Sequence, residues 1–111
     1  MKASRRYVGA LVTTPNLQTA RRIAQALLRQ RLASCINIVP GVESHYCWQD
    51  KLERSKELLL IIKTGRSKLR ELERCILQLH PYDTPEFVVF ALEGGNERYL
   101  EWLGASLNAP S

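Results

Sequence analysis

The residues best suited to chemistry lie in one short segment, residues 80–86, which reads His-Pro-Tyr-Asp-Thr-Pro-Glu. An imidazole, a phenol and a carboxylate, from His80, Tyr82 and Glu86, stand in a loop stiffened by two prolines. Together they could bind a metal ion or transfer protons. They could also only shape a turn, with His80 capping a helix end, Tyr82 packed in a corner and Glu86 exposed at a strand start. Loops on rigid scaffolds often carry function, so the residues alone leave both interpretations open.

A second pair of candidate metal ligands is His45 and Cys47. Two positions apart on a strand, their side chains point to one face, and imidazole with thiolate suits copper or zinc. Two ligands do not complete a site, so a solvent-side pair is the simpler interpretation unless copies of the chain bring several pairs together. Ser44, Tyr46 and Trp48 alternate onto the other face, where we expect aromatic packing, most simply against another subunit.

Length, charge and cysteine count limit the class of protein. The 111 residues suit a single domain over residues 1–111, with 45% hydrophobic residues for a small core. No apolar run reaches the roughly 18 residues of a membrane helix, and the basic N-terminus lacks the features of a secretory leader. We therefore expect a cytoplasmic protein with no membrane partner. Cys35, Cys47 and Cys75 are odd in number and lack zinc-site spacing, so neither a disulfide framework nor a structural zinc is expected.

Hydrophobic periodicity predicts the elements that position these residues. Strands are predicted at 7–13, at 34–39 continuing into a long hairpin over 42–64, and at 86–93; helices are predicted at 16–31, from Ser67 to Leu79, and after Asn96. Pro40 and Gly41 predict a bulge that kinks the second strand without ending it. The order β-α-β-β-α-β with a C-terminal helix is that of an α+β, ferredoxin-like fold with two helices on one sheet face. The other face needs a cover, which association of chains would supply.

Two other functional classes receive little support. The net charge of +5 on a ferredoxin-like domain favours RNA recognition, but that requires stacking aromatics on the first and third strands. The third strand is aliphatic, and the basic residues alternate with glutamates, so no nucleic-acid partner is expected. Two histidines far apart, with no glycine-framed serine, argue against a hydrolytic enzyme.

Five segments at these spacings together resemble the CutA divalent-cation tolerance family over about residues 7–103. They are TTPN after the first strand, RLASCINIVPGVES followed by HYCWQDK, ELLLIIKT, HPYDTPE and GNERYLEWL. The resemblance implies a homotrimer of ferredoxin-like subunits, similar to the PII signalling proteins, in which the long second and third strands pair between subunits. It also implies a role in the response to metal ions without catalytic activity, with copper or another divalent metal as a bound ion that the fold does not require.

The resemblance further implies a ligand-binding cleft between subunits. Six residues in the family's recurrent motifs would line it: Cys35, Trp48, Lys63, His80, Tyr82 and Glu86. His80 with Glu86 would be the metal ligands there, and His45 with Cys47 form the other candidate set. In an alternative function, a PII-like sensor or scaffold would bind a small anionic ligand or a partner's segment in this cleft, beside Lys63.

The chain departs from the family pattern at several positions. Some bacterial members with a copper site carry a cysteine late in the first strand and two consecutive histidines before Pro-Tyr. Val12 and Leu79-His80 stand there in this chain, so that copper site is not carried over whole. Asp50 replaces the usual glycine of the hairpin turn, which aspartate can sustain because it tolerates left-handed backbone angles. Cys47 replaces a more usual aromatic residue.

Overall fold

The computed structural model describes residues 1–108 as a four-stranded antiparallel sheet, a two-stranded ribbon and three helices. In chain order the elements are β1 (Lys2–Ala3), β2 (Tyr7–Thr14), α1 (Leu17–Arg29), β3 (Cys35–Trp48), β4 (Lys51–Gly65), a 3-10 turn (Arg66–Lys68), α2 (Leu69–Leu79), β5 (Val88–Ala91), β6 (Gly94–Gly95) and α3 (Glu97–Asn108). The main sheet has the order β3-β4-β2-β5. The predicted α+β, ferredoxin-like order and the C-terminal helix are confirmed. No helix within residues 1–108 is both long and apolar enough to cross a membrane.

Helix α1 forms where the sequence combines a cap with an apolar stripe. Asn16 precedes it in extended conformation, and its Oδ1 accepts a hydrogen bond of 2.8 Å from the N–H of Thr19. The stripe at helical spacing buries Ile23 and Leu27 completely. The helix stops because Arg31 takes a left-handed φ of 58°, which lets the chain turn back toward β3.

The core lies between α1, α2 and the sheet face that these helices cover. Alternate residues of β2, namely Val8, Ala10 and Val12, point to this face and are fully buried. Leu60 and Ile62 of β4 join them from the neighbouring strand. Burial of each valine, leucine or isoleucine side chain among them stabilises the fold by about 1.5–3 kcal/mol, so period-two alternation fixes which sheet face meets the helices.

The opposite sheet face, called the open face below, is only partly covered. Helix α3 packs on one end of it, where Leu103 is fully buried beside Tyr7 and its carbonyl accepts a 2.6 Å hydrogen bond from Ser34 Oγ. Farther along, Val88 and Phe90 of β5 remain 42% and 56% exposed. An apolar sheet face in contact with water leaves hydrophobic stabilisation unrealised.

The hairpin of β3 and β4 has the two irregularities expected from its sequence. The pairing register shifts between Val39 and Val42, and Gly41 has a φ of 76°, so the predicted bulge is confirmed. At the tip, Gln49 and Asp50 have φ values of 52° and 64°. Two left-handed residues are typical of a type I′ turn, and Asp50 sustains the angle in place of glycine.

Three local features differ from the sequence prediction. No strand was predicted after residue 93, but Gly94 pairs with Ala3 in the β1–β6 ribbon, where a Cβ would lie 2.3 Å from the Lys2 carbonyl oxygen. Ser67 does not cap α2: a 3-10 turn precedes that helix, which begins at Leu69 without a side-chain cap. The last strand of the main sheet spans only Val88–Ala91.

Candidate functional site

The six predicted cleft residues occupy three places in a single chain. Trp48, Tyr82 and Glu86 line one cavity on the open face, whereas Cys35 and Lys63 pair across β3 and β4 at the other end of the sheet. Cys35 and Trp48 lie 13 residues apart at the two ends of β3. At roughly 3.3 Å per residue, the distance between them is about 40 Å. One pocket that contains all the predicted residues would therefore need more than one chain.

His80, the remaining cleft residue, is held inside the chain. It is 7% exposed, and the backbone N–H of Tyr82 donates to its Nδ1 at 3.1 Å. Nδ1 is thus an acceptor, so the proton lies on Nε2, which donates to the carbonyl oxygen of Thr13 at 2.7 Å. Both ring nitrogens are engaged, and a metal ion could reach this imidazole only by displacing one of these bonds.

The cavity on the open face, called the hairpin cavity below, lies between the hairpin and the loop of residues 82–86. Its volume is about 450 Å³. Tyr46, Trp48 and Tyr82 supply aromatic surface. Carboxylate side chains complete much of the remaining wall: Glu53, Glu57, Asp83 and Glu86. The hairpin therefore carries one wall of the cavity, and the proline-stiffened loop carries the other.

Glu57 is a cavity residue that the sequence reasoning missed. The residue is 7% exposed, and its Oε2 accepts a 3.0 Å hydrogen bond from the Tyr82 hydroxyl. A signal was present in the sequence: counting back by twos from Lys63 through the aliphatic strand places Glu57 on the open face. A carboxylate at the start of a buried strand is unusual enough to mark a candidate site.

The contact with Glu57 changes the acidity of Tyr82. Burial, then the hydrogen bond and the negative charge of Glu57, raise the pKa of Tyr82 from 10.0 to about 12. Each of these effects favours the neutral phenol over the phenolate.

We expect an ultraviolet titration of the tyrosines to include a late-ionising group that belongs to Tyr82. Since the unfolded chain loses the Tyr82 proton near pH 10 and the folded chain near pH 12, the free energy of unfolding should fall as pH rises through this window. In Tyr82→Phe this decrease should be smaller, and in Glu57→Gln the late ionisation should move toward pH 10. A titration unchanged by both substitutions would contradict the assignment.

Cys35 and Lys63 form a separate polar group near α3. Lys63 Nζ lies 3.8 Å from Cys35 Sγ and donates to Asn37 Oδ1. Burial, followed by interaction with the Cys35 thiol, raises the pKa of Tyr99. Asn37 and Tyr99 were not predicted as site residues; strand alternation places Asn37 on the face of Cys35, whereas the approach of α3 is a tertiary feature.

The predicted pair on the hairpin is exposed. His45 Nε2 lies 2.9 Å from a carboxylate oxygen of Glu43. Cys47 is an exposed free thiol two residues farther along β3, on the same face of the strand. Within residues 1–108, no three His, Cys, Asp or Glu side chains lie close enough to hold one metal ion. Neither predicted ligand set is therefore a complete metal site in one chain.

A family comparison covers all of these positions. The family model described as CutA1 divalent ion tolerance protein matches residues 8–106. The chain belongs to the CutA family. It is 45% identical over 93 residues to the divalent-cation tolerance protein CutA of Thermus thermophilus, which covers 84% of this chain and 90% of that protein.

Plant CutA proteins are similar to this chain in sequence and structure. The chloroplastic protein CutA 1 of rice is 46% identical over 92 residues, which cover 83% of this chain and 52% of that protein. This CutA chain thus spans about half the length of the plant relatives it matches. The crystal structure of CutA1 from Oryza sativa superimposes with a TM-score of 0.90 at 39% identity, covering 98% of this chain and 100% of that one.

Proposed function

We propose that this CutA chain acts in tolerance of divalent cations as a homotrimer. The family match over residues 8–106 carries the functional part of the proposal. Two features of the fold support association: the exposed Val88 and Phe90 on the open face, and the separation of the predicted cleft residues between two ends of the sheet. Neighbouring chains would cover the exposed apolar side chains and would bring the separated cleft residues close to one another.

For metal binding we favour the exposed hairpin set over His80 with Glu86. His45 and Cys47 offer imidazole and thiol on one strand face, with the Glu43 carboxylate beside the imidazole. Equivalent groups from other chains would complete a coordination sphere for copper. His80 would first have to release either the Thr13 carbonyl or the Tyr82 amide.

A titration of the reduced protein with copper and with zinc tests this choice. We expect the His45→Ala/Cys47→Ser double variant to bind copper at least about 10-fold more weakly, because it loses both donor groups. His80→Gln, checked for folding by circular dichroism, should bind like the wild type. Equal affinities in all three proteins would exclude these residues as specific ligands.

The alternative function is a PII-like sensor or scaffold that binds a small anionic ligand between subunits. It depends on Lys63, which lies outside the hairpin cavity and would have to come from another chain. Stabilisation by an anionic metabolite in a thermal-shift screen, lost in Lys63→Ala, would support this alternative.

Cytoplasmic location and the lack of an enzymatic activity stay predictions. The relatives carry the name of tolerance proteins, and the rice protein is described as chloroplastic. Fractionation of the source cells with an antibody to this chain would test the location.

A further inference from the structure

We propose that the exposed face of α1 is a docking surface for an acidic segment of another protein, one that carries carboxylate and apolar side chains on one side of a helix. The surface, called the arginine face below, consists of Arg21, Arg22 and Arg29 with Leu17 and Leu28 along one edge. It belongs to the helix layer, on the other side of the sheet from the open face that the proposed homotrimer uses. The inference therefore goes beyond the proposed function and does not rest on it.

Charge is distributed unevenly along the chain. Residues 1–42 contain seven of the 16 basic residues and none of the 11 acidic residues, the first of which is Glu43. The alternation of basic residues with glutamates, which argued against a nucleic-acid surface, thus begins only after residue 42. Such an asymmetry between two parts of a chain indicates a surface for a negatively charged partner.

The helical period gathers the exposed residues of α1 on one face. At about 100° per residue, the exposed positions of the helix span an arc of roughly 140°. Leu17 and Leu28 fall at one edge of this arc and are 40% and 43% exposed. The arginines occupy the rest of it, and Arg21 and Arg29 lie about 12 Å apart along the axis at roughly 1.5 Å per residue. The face thus presents guanidinium groups two helical turns apart beside apolar surface.

Intrahelical ion pairs do not account for these arginines. The helix contains no acidic residue, so the pairs at i and i+4 that commonly stabilise exposed helices are absent from it. Within residues 1–108, no carboxylate forms an ion pair with an arginine of this face. The neighbouring helix α2 differs, because its exposed Arg70 and Arg74 are accompanied by Glu71 and Glu73. The charge that α2 balances with its own residues is left unbalanced on α1.

The arginine face has a groove that suits side chains of a partner. Arg21 and Arg22 line it together with Leu17, Gln18 and Gln25, and its volume is about 370 Å³. A guanidinium group binds a carboxylate through two parallel hydrogen bonds, and apolar side chains of the partner would cover the leucines. An acidic amphipathic helix with carboxylates two turns apart supplies both kinds of contact.

A protein partner fits this face better than a nucleic acid or a membrane does. The helix carries no aromatic side chain on which bases could stack, and a phosphate backbone would leave the two leucines uncovered. A helix that lies on a membrane inserts its apolar side into the lipid. That side of α1, with Ile23 and Leu27, is already buried in the core.

Fluorescence anisotropy of a labelled peptide tests the proposal. The probe is a helical peptide of Glu, Leu and Ala with its glutamates and leucines on one side. One control peptide has Gln in place of every Glu, and a second has Ser in place of every Leu. We expect saturable binding of the acidic peptide that weakens as sodium chloride is added, no binding of the glutamine peptide and weaker binding of the serine peptide. Labelled polyuridylate and phosphatidylserine vesicles test the other two classes of partner.

Substitutions locate the binding surface. Arg21→Gln/Arg22→Gln should weaken binding of the acidic peptide about 10-fold or more, because it removes two guanidinium groups from the groove. The matched control Arg70→Gln/Arg74→Gln removes the same charge from the exposed surface of α2 and should leave the affinity unchanged. Circular dichroism checks the folding of each variant. If the α1 double variant failed to fold, Arg29→Gln alone should still weaken binding relative to the α2 control.

Several results would overturn the proposal. They are the lack of saturable binding of the acidic peptide, equal binding of the glutamine peptide, an equal loss in the α1 and α2 variants, or tighter binding of polyuridylate or of the vesicles through the same arginines. Light scattering and the copper titration on the same preparation keep the two proposals separate. A copper-binding trimer that ignores the acidic peptide would refute only this inference, and a monomer that binds the peptide would refute only the trimer.

Discussion

Replacing His80 with alanine should lower the free energy of unfolding by about 3 kcal/mol. The substitution leaves the Thr13 carbonyl and the Tyr82 amide without their buried partner, which costs about 1–3 kcal/mol for each unsatisfied group, and it opens a cavity. The imidazole also packs against the Tyr82 ring, with centroids 4.7 Å apart, so the loop of residues 82–86 should loosen. Urea unfolding at one fixed protein concentration would measure the effect, since association changes apparent stability.

His45→Ala is the matched control for this prediction. Its imidazole is exposed and bonded only to Glu43 within residues 1–108, so the change in the free energy of unfolding should stay within about 0.5 kcal/mol. A stable His80→Ala protein that had lost copper affinity would contradict the structural role and restore His80 as a metal ligand.

The double substitution Val88→Lys/Phe90→Lys should dissociate the proposed homotrimer into single chains. These side chains extend the open face through β5, where they pair with Leu11 and Gly9 of β2. Covering two lysines without carboxylate partners would cost several kcal/mol per charge, and the substitutions also remove apolar surface that the proposed interface would bury. Light scattering at micromolar concentration would measure the mass.

Leu77→Lys controls for the addition of charge to an exposed apolar position. Leu77 is 50% exposed on α2, in the helix layer on the other side of the sheet, and its substitution should leave the mass at three chains. A monomeric wild type would refute the homotrimer, and a trimeric double variant would show that the interface lies elsewhere.

The elements that could be predicted are those whose determinants are local. Asn16 followed by an apolar stripe defines α1, and Pro40 with Gly41 defines the bulge, because caps and bulges depend on neighbouring residues. The β1–β6 ribbon was missed since it joins Lys2 to Gly95, and a two-residue strand has no periodicity to detect. The close approach of the Lys2 carbonyl to Gly94 explains that glycine only after the ribbon is known.

The candidate site, like the secondary structure, could be predicted only in part from the sequence. The family motifs placed Trp48, Tyr82 and Glu86 in one cleft, and the structure brings these side chains to one cavity within a single chain. The motifs could not show that His80 bonds to a carbonyl 67 positions away, since that contact depends on how β2 packs against the end of α2. Glu57 was missed because the aliphatic run beside it was interpreted only as a buried strand.

The two-residue tip of the hairpin also sets an order for folding. Pairing Trp48 with Lys51 closes a very short loop, whereas pairing Leu11 with Val88 must bring distant parts of the chain together. Loop-closure entropy rises with chain separation, so the hairpin can form early and the β2–β5 edge must form late. β3 is an edge strand of the main sheet, so its outer edge stays unpaired in a single chain from the time the hairpin forms, and neighbouring chains can pair with it. The rate of synthesis of this protein, and not only its final stability, should therefore influence how much of it reaches the folded state.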